Sequence, residues 1–194
     1  MQKINFLKMH GLGNDFVIID KRRSKINITK KIINKLSDRK SGAGCDQLIT
    51  INNGTTNNVD AKIEIFNPSG DKAEACGNGT RCVAKILFDE LKKDKINILS
   101  DAGILYAEKK DGINISVNLG KLSTNWKDIP MLEEMNTLDV PIKIKNCSNG
   151  VAVNIGNPHI VFFGKDIDNI NLHEIGPEIE NLKFFPKKIN VELI

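Results

Sequence analysis

At 194 residues, with 40% hydrophobic and 27% charged side chains, the chain has the make-up of a folded enzyme or binding module, not of a disordered tail. Its 28 basic and 24 acidic residues leave a formal charge of +4 with no long run of one sign, which argues against a nucleic-acid groove. No apolar stretch is long enough for a secretory signal or a membrane span, so a cytoplasmic location without a membrane partner is expected.

The first strands are predicted at INFLK (4–8) and DFVIID (15–20). A surface helix follows over 28–40, with Asn27 or Thr29 as cap and a stop at Gly42. Strands are predicted again at QLITI (47–51) and AKIEIF (61–66). A second helix, over 80–91, carries Cys82, Val83, Ile86, Leu87 and Phe88 around most of its circumference, so it should be surrounded, most simply by a curved sheet. Strands ILYAEK (104–109) and INISVNL (113–119) come next, and in the latter Ile113, Ile115, Val117 and Leu119 alternate with polar residues as in a half-buried strand. The pattern fades over 120–140, where a domain boundary is expected, giving domains 1–120 and 121–194. Beyond it lie predicted strands at 141–146, 151–155 and 159–163 and a helix over 172–182 broken at Pro177. The sheets are expected to be mostly antiparallel, in an α+β fold. HGLGNDFVIID (10–20) and VNIGNPHIVFFG (153–164) both set Gly-Asn before an apolar strand, which suggests a duplication.

The cysteines are Cys45, Cys76, Cys82 and Cys147, with no CxxC pair, and reduced thiols are expected. Three histidines outside any ligand-spaced cluster give no reason to expect a metal. Cys76 stands apart because it opens CGNGT, a Gly-rich entry to the second helix at about Asn78 to Thr80. Unpaired N–H groups and the positive end of the dipole there lower a thiol's pKa, and Gly77 and Gly79 let the backbone approach a bound carboxylate. The residues alone leave open a plain N-cap at Asn78 or Thr80 with a buried cysteine beside it. Cys82, inside the apolar helix, reads as packing, and so does Cys45.

HGLGNDF (10–16), GCDQL (44–48), FNPSGDKAEACGNGTRC (66–82), GNPHIV (156–161) and FPKKINVE (185–192) resemble, in order and spacing, the diaminopimelate epimerase family. The resemblance implies two similar domains, each a mostly antiparallel barrel-like sheet around a central helix, the second incomplete here. It also implies interconversion of LL- and meso-diaminopimelate by two cysteines, one thiolate and one thiol, with no pyridoxal phosphate or metal, on the route to lysine and peptidoglycan. On that pattern Cys76 is one catalytic thiol and His159 supports it. Asn14, Gln47, Asn67, Gly77, Asn78, Asn157 and Asn190 would contact the substrate, a zwitterion that amides can grip because they both donate and accept. The family's second cysteine, its Glu-Arg pair and a returning strand fall beyond Ile194, so residues 1–194 alone are expected not to epimerise. A homodimer is compatible with the resemblance. Ser69-Gly70-Asp71 departs from the family's Asp-Gly-Ser only among turn-forming residues. The competing readings are a non-catalytic or degenerate amino-acid-binding protein of the same fold and, less well supported, a thiol redox protein.

Overall fold

The structure, a computed structural model, describes residues 3–24, 26–73 and 75–194. The chain divides into two compact units, Met1–Leu119 and Gly120–Ile194.

In the first unit one sheet takes the order β1-β2-β3-β4-β6-β7-β8, with β5 off the path against β4. The strands are β1 (Leu7–Gly11), β2 (Asn14–Asp20), β3 (Gln47–Asn53), β4 (Ala61–Phe66), β5 (Lys72–Ala73), β6 (Lys95–Ser100), β7 (Gly103–Lys109) and β8 (Ile115–Asn118). Among the described residues of this sheet only the β2–β3 and β4–β6 pairs are parallel. Helix α2 (Gly77–Leu91) packs against β1 and β2 at one end of that order and β6, β7 and β8 at the other. A single helix can touch both ends only if the sheet curls around it. Val83, Ala84 and Leu87 are sealed at 0% exposure between the helix and the sheet, which accounts for apolar side chains around most of the helix.

Strand β2 is buried without alternation because both its faces are covered. Phe16 and Ile18 join the α2 core, while Val17 and Ile19 pack with Ile33 of α1 (Lys30–Ser37) on the other face. Thr29 caps α1, its side chain accepting from the Ile32 N–H. The helix stops at Ser37, well short of Gly42, because the Asp38 carboxylate accepts the N–H groups of Lys40 and Ser41 at 2.9 and 2.6 Å and turns the chain there.

Strand β1 begins three residues later than predicted. Its end is fixed by a two-residue turn at Leu12 and Gly13, both with positive φ (53° and 85°), which pairs Gly11 with Asn14. Strand β6 was hidden behind the lysines of 92–95, although Ile96 and Ile98 alternate into the core as any half-buried strand does.

In the second unit β9 (Val151–Asn154), β10 (Pro158–Phe162) and β11 (Asn190–Leu193) form a sheet of order β11-β10-β9, antiparallel between β9 and β10 and parallel between β10 and β11. Ile160 and Phe162 point into a core with Val140, Ile179 and Phe185. The predicted strand over 141–146 does not form. Ile142 is buried, but its N–H closes a tight local turn to the Val140 carbonyl at 2.7 Å, so the apolar alternation there reflects burial without a ladder. Helix α3 (Leu172–Glu180) runs through Pro177. Gly176 precedes that proline and has no Cβ to clash with its ring, which eases the usual bar to helical backbone at the residue before a proline. Among the described residues no helix is long and apolar enough to cross a membrane.

Candidate active site

In the first unit Asn14, Cys76, Gly77 and Asn78 gather at the start of α2. Cys76 is itself the N-cap, with extended backbone (φ −153°, ψ 104°), and its Sγ accepts the Gly79 N–H at 3.4 Å. The cap carbonyl accepts from both the N–H and the hydroxyl of Thr80, each at 2.9 Å. The Asn78 and Thr80 alternatives are thus displaced: the sulfur occupies the place a Ser or Asp oxygen takes at an ordinary cap.

Gly79 is required sterically. A Cβ there would lie 2.5 Å from Ile49 Cδ1 and 3.3 Å from Phe16 Cε1, both in the core, whereas a Cβ on Gly77 would meet only Leu119 Cδ1 at 3.4 Å. Asn78 is held by Arg81, whose guanidinium donates to its Oδ1.

Asn14 faces the thiol, with Cys76 Sγ 3.8 Å from its Oδ1. Its amide is oriented from behind, since Nδ2 donates to Asp46 Oδ2 at 2.9 Å and a carboxylate can only accept. Asp46 also takes the Asp15 N–H at 3.0 Å and Arg39 Nη2 at 2.8 Å, while Asp15 pairs with Arg39 at 2.7 Å and Lys8 at 2.8 Å. Arg39 foremost, with Lys8, holds the Asp15 carboxyl well below the usual carboxylate range. This cluster was not foreseen as part of the site; the one signal was the place of Asp46 beside Gln47 in GCDQL.

Burial pushes the Cys76 thiol above its ordinary pKa, against the downward pull of the Gly79 and Asn78 amides and the Arg81 charge. The sequence predicts the opposite direction from the helix terminus alone. Desolvation of a sulfur packed beside the core outweighs two amides, so the resting group is a neutral thiol. Cys82 and Cys45 are buried at 5% and 2% exposure, and Cys45 donates to Ser37 Oγ at 3.4 Å.

Gln47 and Asn67 form a separate pair in this unit, Gln47 Nε2 donating to Asn67 Oδ1 at 3.1 Å. Asn67 also opens the NPSG turn, its carbonyl accepting the Gly70 N–H at 2.8 Å. Gln47 Oε1 is buried with no partner among the described residues, an acceptor left over by this pairing.

In the second unit Asn157, His159 and Asn190 come together on one face of the three-stranded sheet. Parallel register sets His159 beside Asn190 and Val161 beside Glu192, opposite in face to the core residues Ile160 and Phe162. His159 Nδ1 lies 2.6 Å from Glu192 Oε1, and its Nε2 lies 2.9 Å from Asn157 Oδ1. Asn190 Nδ2 donates to the Pro158 carbonyl at 2.9 Å, which leaves its oxygen to face outward. Glu192 was missed because the strand bearing it was not predicted; once β11 is known, Asn190 and Glu192 share a face by period two.

A family model described as Diaminopimelate epimerase matches residues 6–125. A diaminopimelate epimerase of Pelagibacter ubique (strain HTCC1062) is 44% identical over 195 residues, covering 98% of this chain and 70% of the relative. One from Sphingopyxis alaskensis is 43% identical over 188 residues, covering 97% of this chain and 67% of the relative. Among solved structures, a hydroxyproline epimerase from Agrobacterium vitis has a TM-score of 0.55 at 13% identity, covering 91% of this chain and 54% of that one, a likeness of fold alone.

Proposed function

The chain belongs to the diaminopimelate epimerase family, an isomerase family, and on that premise we propose that Cys76 exchanges a proton with the α-carbon of bound diaminopimelate. One observation carries the reading: the Cys76 sulfur sits at the N-cap of α2, between the Gly79 N–H and the Asn14 carbonyl oxygen. Sulfur at that place can give or take a proton while the helix start holds an anion.

In the proposed reaction the Cα–H bond breaks as its proton passes to a thiolate, and the electron pair delocalises into the substrate's carboxylate as an enediolate. A thiol on the opposite face then protonates the same carbon, and the configuration inverts. The Gly77 and Asn78 amides, at the positive end of α2, would stabilise the growing charge on the carboxylate. No cofactor is invoked. Burial raises the Cys76 thiol, so in this chain the α-proton is taken by its minor thiolate population and returned by the thiol so formed.

In the first unit Asn14, Gln47 and Asn67 would grip the charged groups of the substrate, and for Asn157, Asn190 and His159 of the second unit a substrate role is proposed from the family pattern alone. Among the described residues no other cysteine caps a helix, so the 194-residue polypeptide assayed alone is expected to exchange the α-hydrogen on one face without inverting the centre. A non-catalytic binding protein would do neither.

The reading is tested by protection of Cys76 from alkylation, followed by peptide mass mapping. Diaminopimelate should slow modification of Cys76 at least tenfold while lysine, which lacks the second carboxylate, does so weakly. Equal modification with and without diaminopimelate would remove the substrate assignment. Conversion of the LL to the meso isomer by the isolated polypeptide would remove the single-thiol account.

A further inference from the structure

The pair formed by Glu192 and His159 does more than join two strands. Glu192 Oε1 lies 2.6 Å from His159 Nδ1, across parallel strands whose register sets Glu192 two residues beyond the neighbour of His159. A carboxylate is an acceptor only, so this contact requires a hydrogen on Nδ1. That is the less favoured position of the single proton of a neutral imidazole in water, so the contact selects it. The second oxygen, Glu192 Oε2, is buried without a partner among the described residues, so the carboxylate's hydrogen bonding is committed to the histidine.

We propose that Glu192 is the positioning residue of His159: it holds Nδ1–H, leaves Nε2 as the working nitrogen, and through Nε2 sets which end of the Asn157 amide meets the substrate. In the structure Nε2 lies 2.9 Å from Asn157 Oδ1, the arrangement that suits a ring carrying a hydrogen on both nitrogens. With one proton on the ring, held at Nδ1, Nε2 is an acceptor and the Asn157 NH2 turns to it. The Asn157 oxygen is then left free, an acceptor suited to the substrate's ammonium. When Nε2 takes up a proton it donates to the Asn157 oxygen, and the NH2 faces outward, suited to a carboxylate. The two ends of an amide are nearly the same shape and exchange by a half-turn, so nothing else need move.

This deepens the proposed function and rests on it only for its consequence in the reaction; the hydrogen-bonding claim stands by itself. Long-range proton–nitrogen NMR of the 194-residue chain, with His159 assigned through His159→Gln, reads the tautomer directly. The expected result is Nδ1–H in the unsubstituted chain and a shift to Nε2–H in Glu192→Leu, which keeps the side chain's bulk on the strand. An Nε2–H tautomer in the unsubstituted chain overturns the proposal, and that measurement needs no variant to fold. So does an unchanged Nδ1–H tautomer in a folded Glu192→Leu. If the tautomer behaves as stated while His159→Gln leaves α-hydrogen exchange of diaminopimelate untouched, Glu192 stands as the anchor of the ring and the role of His159 in the reaction is what fails.

Discussion

Asn14 and Asn157 follow glycines of similar backbone, Gly13 at φ 85° and Gly156 at φ 105°, and each stands where an apolar strand begins. Their surroundings differ in one respect that matters. Asn14 is backed by the Asp46 carboxylate, which can only accept, so its NH2 is pinned and its oxygen is presented to Cys76. Asn157 has its Oδ1 against the imidazole of His159, which can donate or accept, so under the proposal above its amide turns with the ring. The same dipeptide is thus a fixed contact in one unit and a responsive one in the other, and the proton inventory of the neighbour decides which.

The largest effect should come from removing the platform under the fixed asparagine. Leu87, fully buried on α2, has its side chain in the core that the curled sheet closes over. Leu87→Ala should cost about 3 kcal/mol, read as a lower urea midpoint by circular dichroism, and hydrogen exchange should place the loss in α2 and its strands.

Asp46→Asn breaks the contrast at its source. An amide at position 46 can donate as well as accept, so Asn14 loses its enforced orientation. Deuterium incorporation into diaminopimelate should fall about tenfold, equivalent to about 1.4 kcal/mol of transition-state stabilisation, with substrate binding changed less. An unaltered rate would show that Asp46 does not orient Asn14.

The pH behaviour of Cys76 tests whether the fixed site holds a neutral thiol. Iodoacetamide modification should rise only above the ordinary thiol value of about 8.5, because burial raises the group. In the unfolded chain the thiol ionises first, so stability should fall as pH climbs from that value toward the folded one, and Cys76→Ala should flatten that limb. A modification midpoint near or below neutrality would mean that the helix terminus outweighs burial.

The smallest expected effect lies behind the fixed asparagine. Arg39 and Lys8 depress the Asp15 carboxyl, so the stabilisation it contributes is complete above the unfolded carboxylate value of about 3.9 and is lost as pH falls below it. Arg39→Gln should lower stability slightly at neutral pH and make the acid unfolding limb shallower, because less of the Asp15 contribution remains to be lost.

Much of the first unit was legible because its residues obey local rules. The uninterrupted FVII of β2 marks burial on both faces, and the apolar circumference of α2 demands a sheet around it. What escaped depends on tertiary partners. Nothing local shows that Cys76 replaces an oxygen as N-cap, that Asp46 orients Asn14, or that β11 brings Glu192 to His159. The raised pKa of Cys76 was misread because a helix start is visible in sequence whereas the burial opposing it is not. Pro177 was misread because its neighbour Gly176 had been passed over.

The central claim is that the Cys76 sulfur moves the α-proton. Incubation of the chain with diaminopimelate in heavy water, followed by mass spectrometry of the recovered substrate, addresses it directly. The expected result is deuterium at one α-carbon with the unsubstituted chain and none above background with Cys76→Ala. Equal incorporation by the two proteins would contradict the claim.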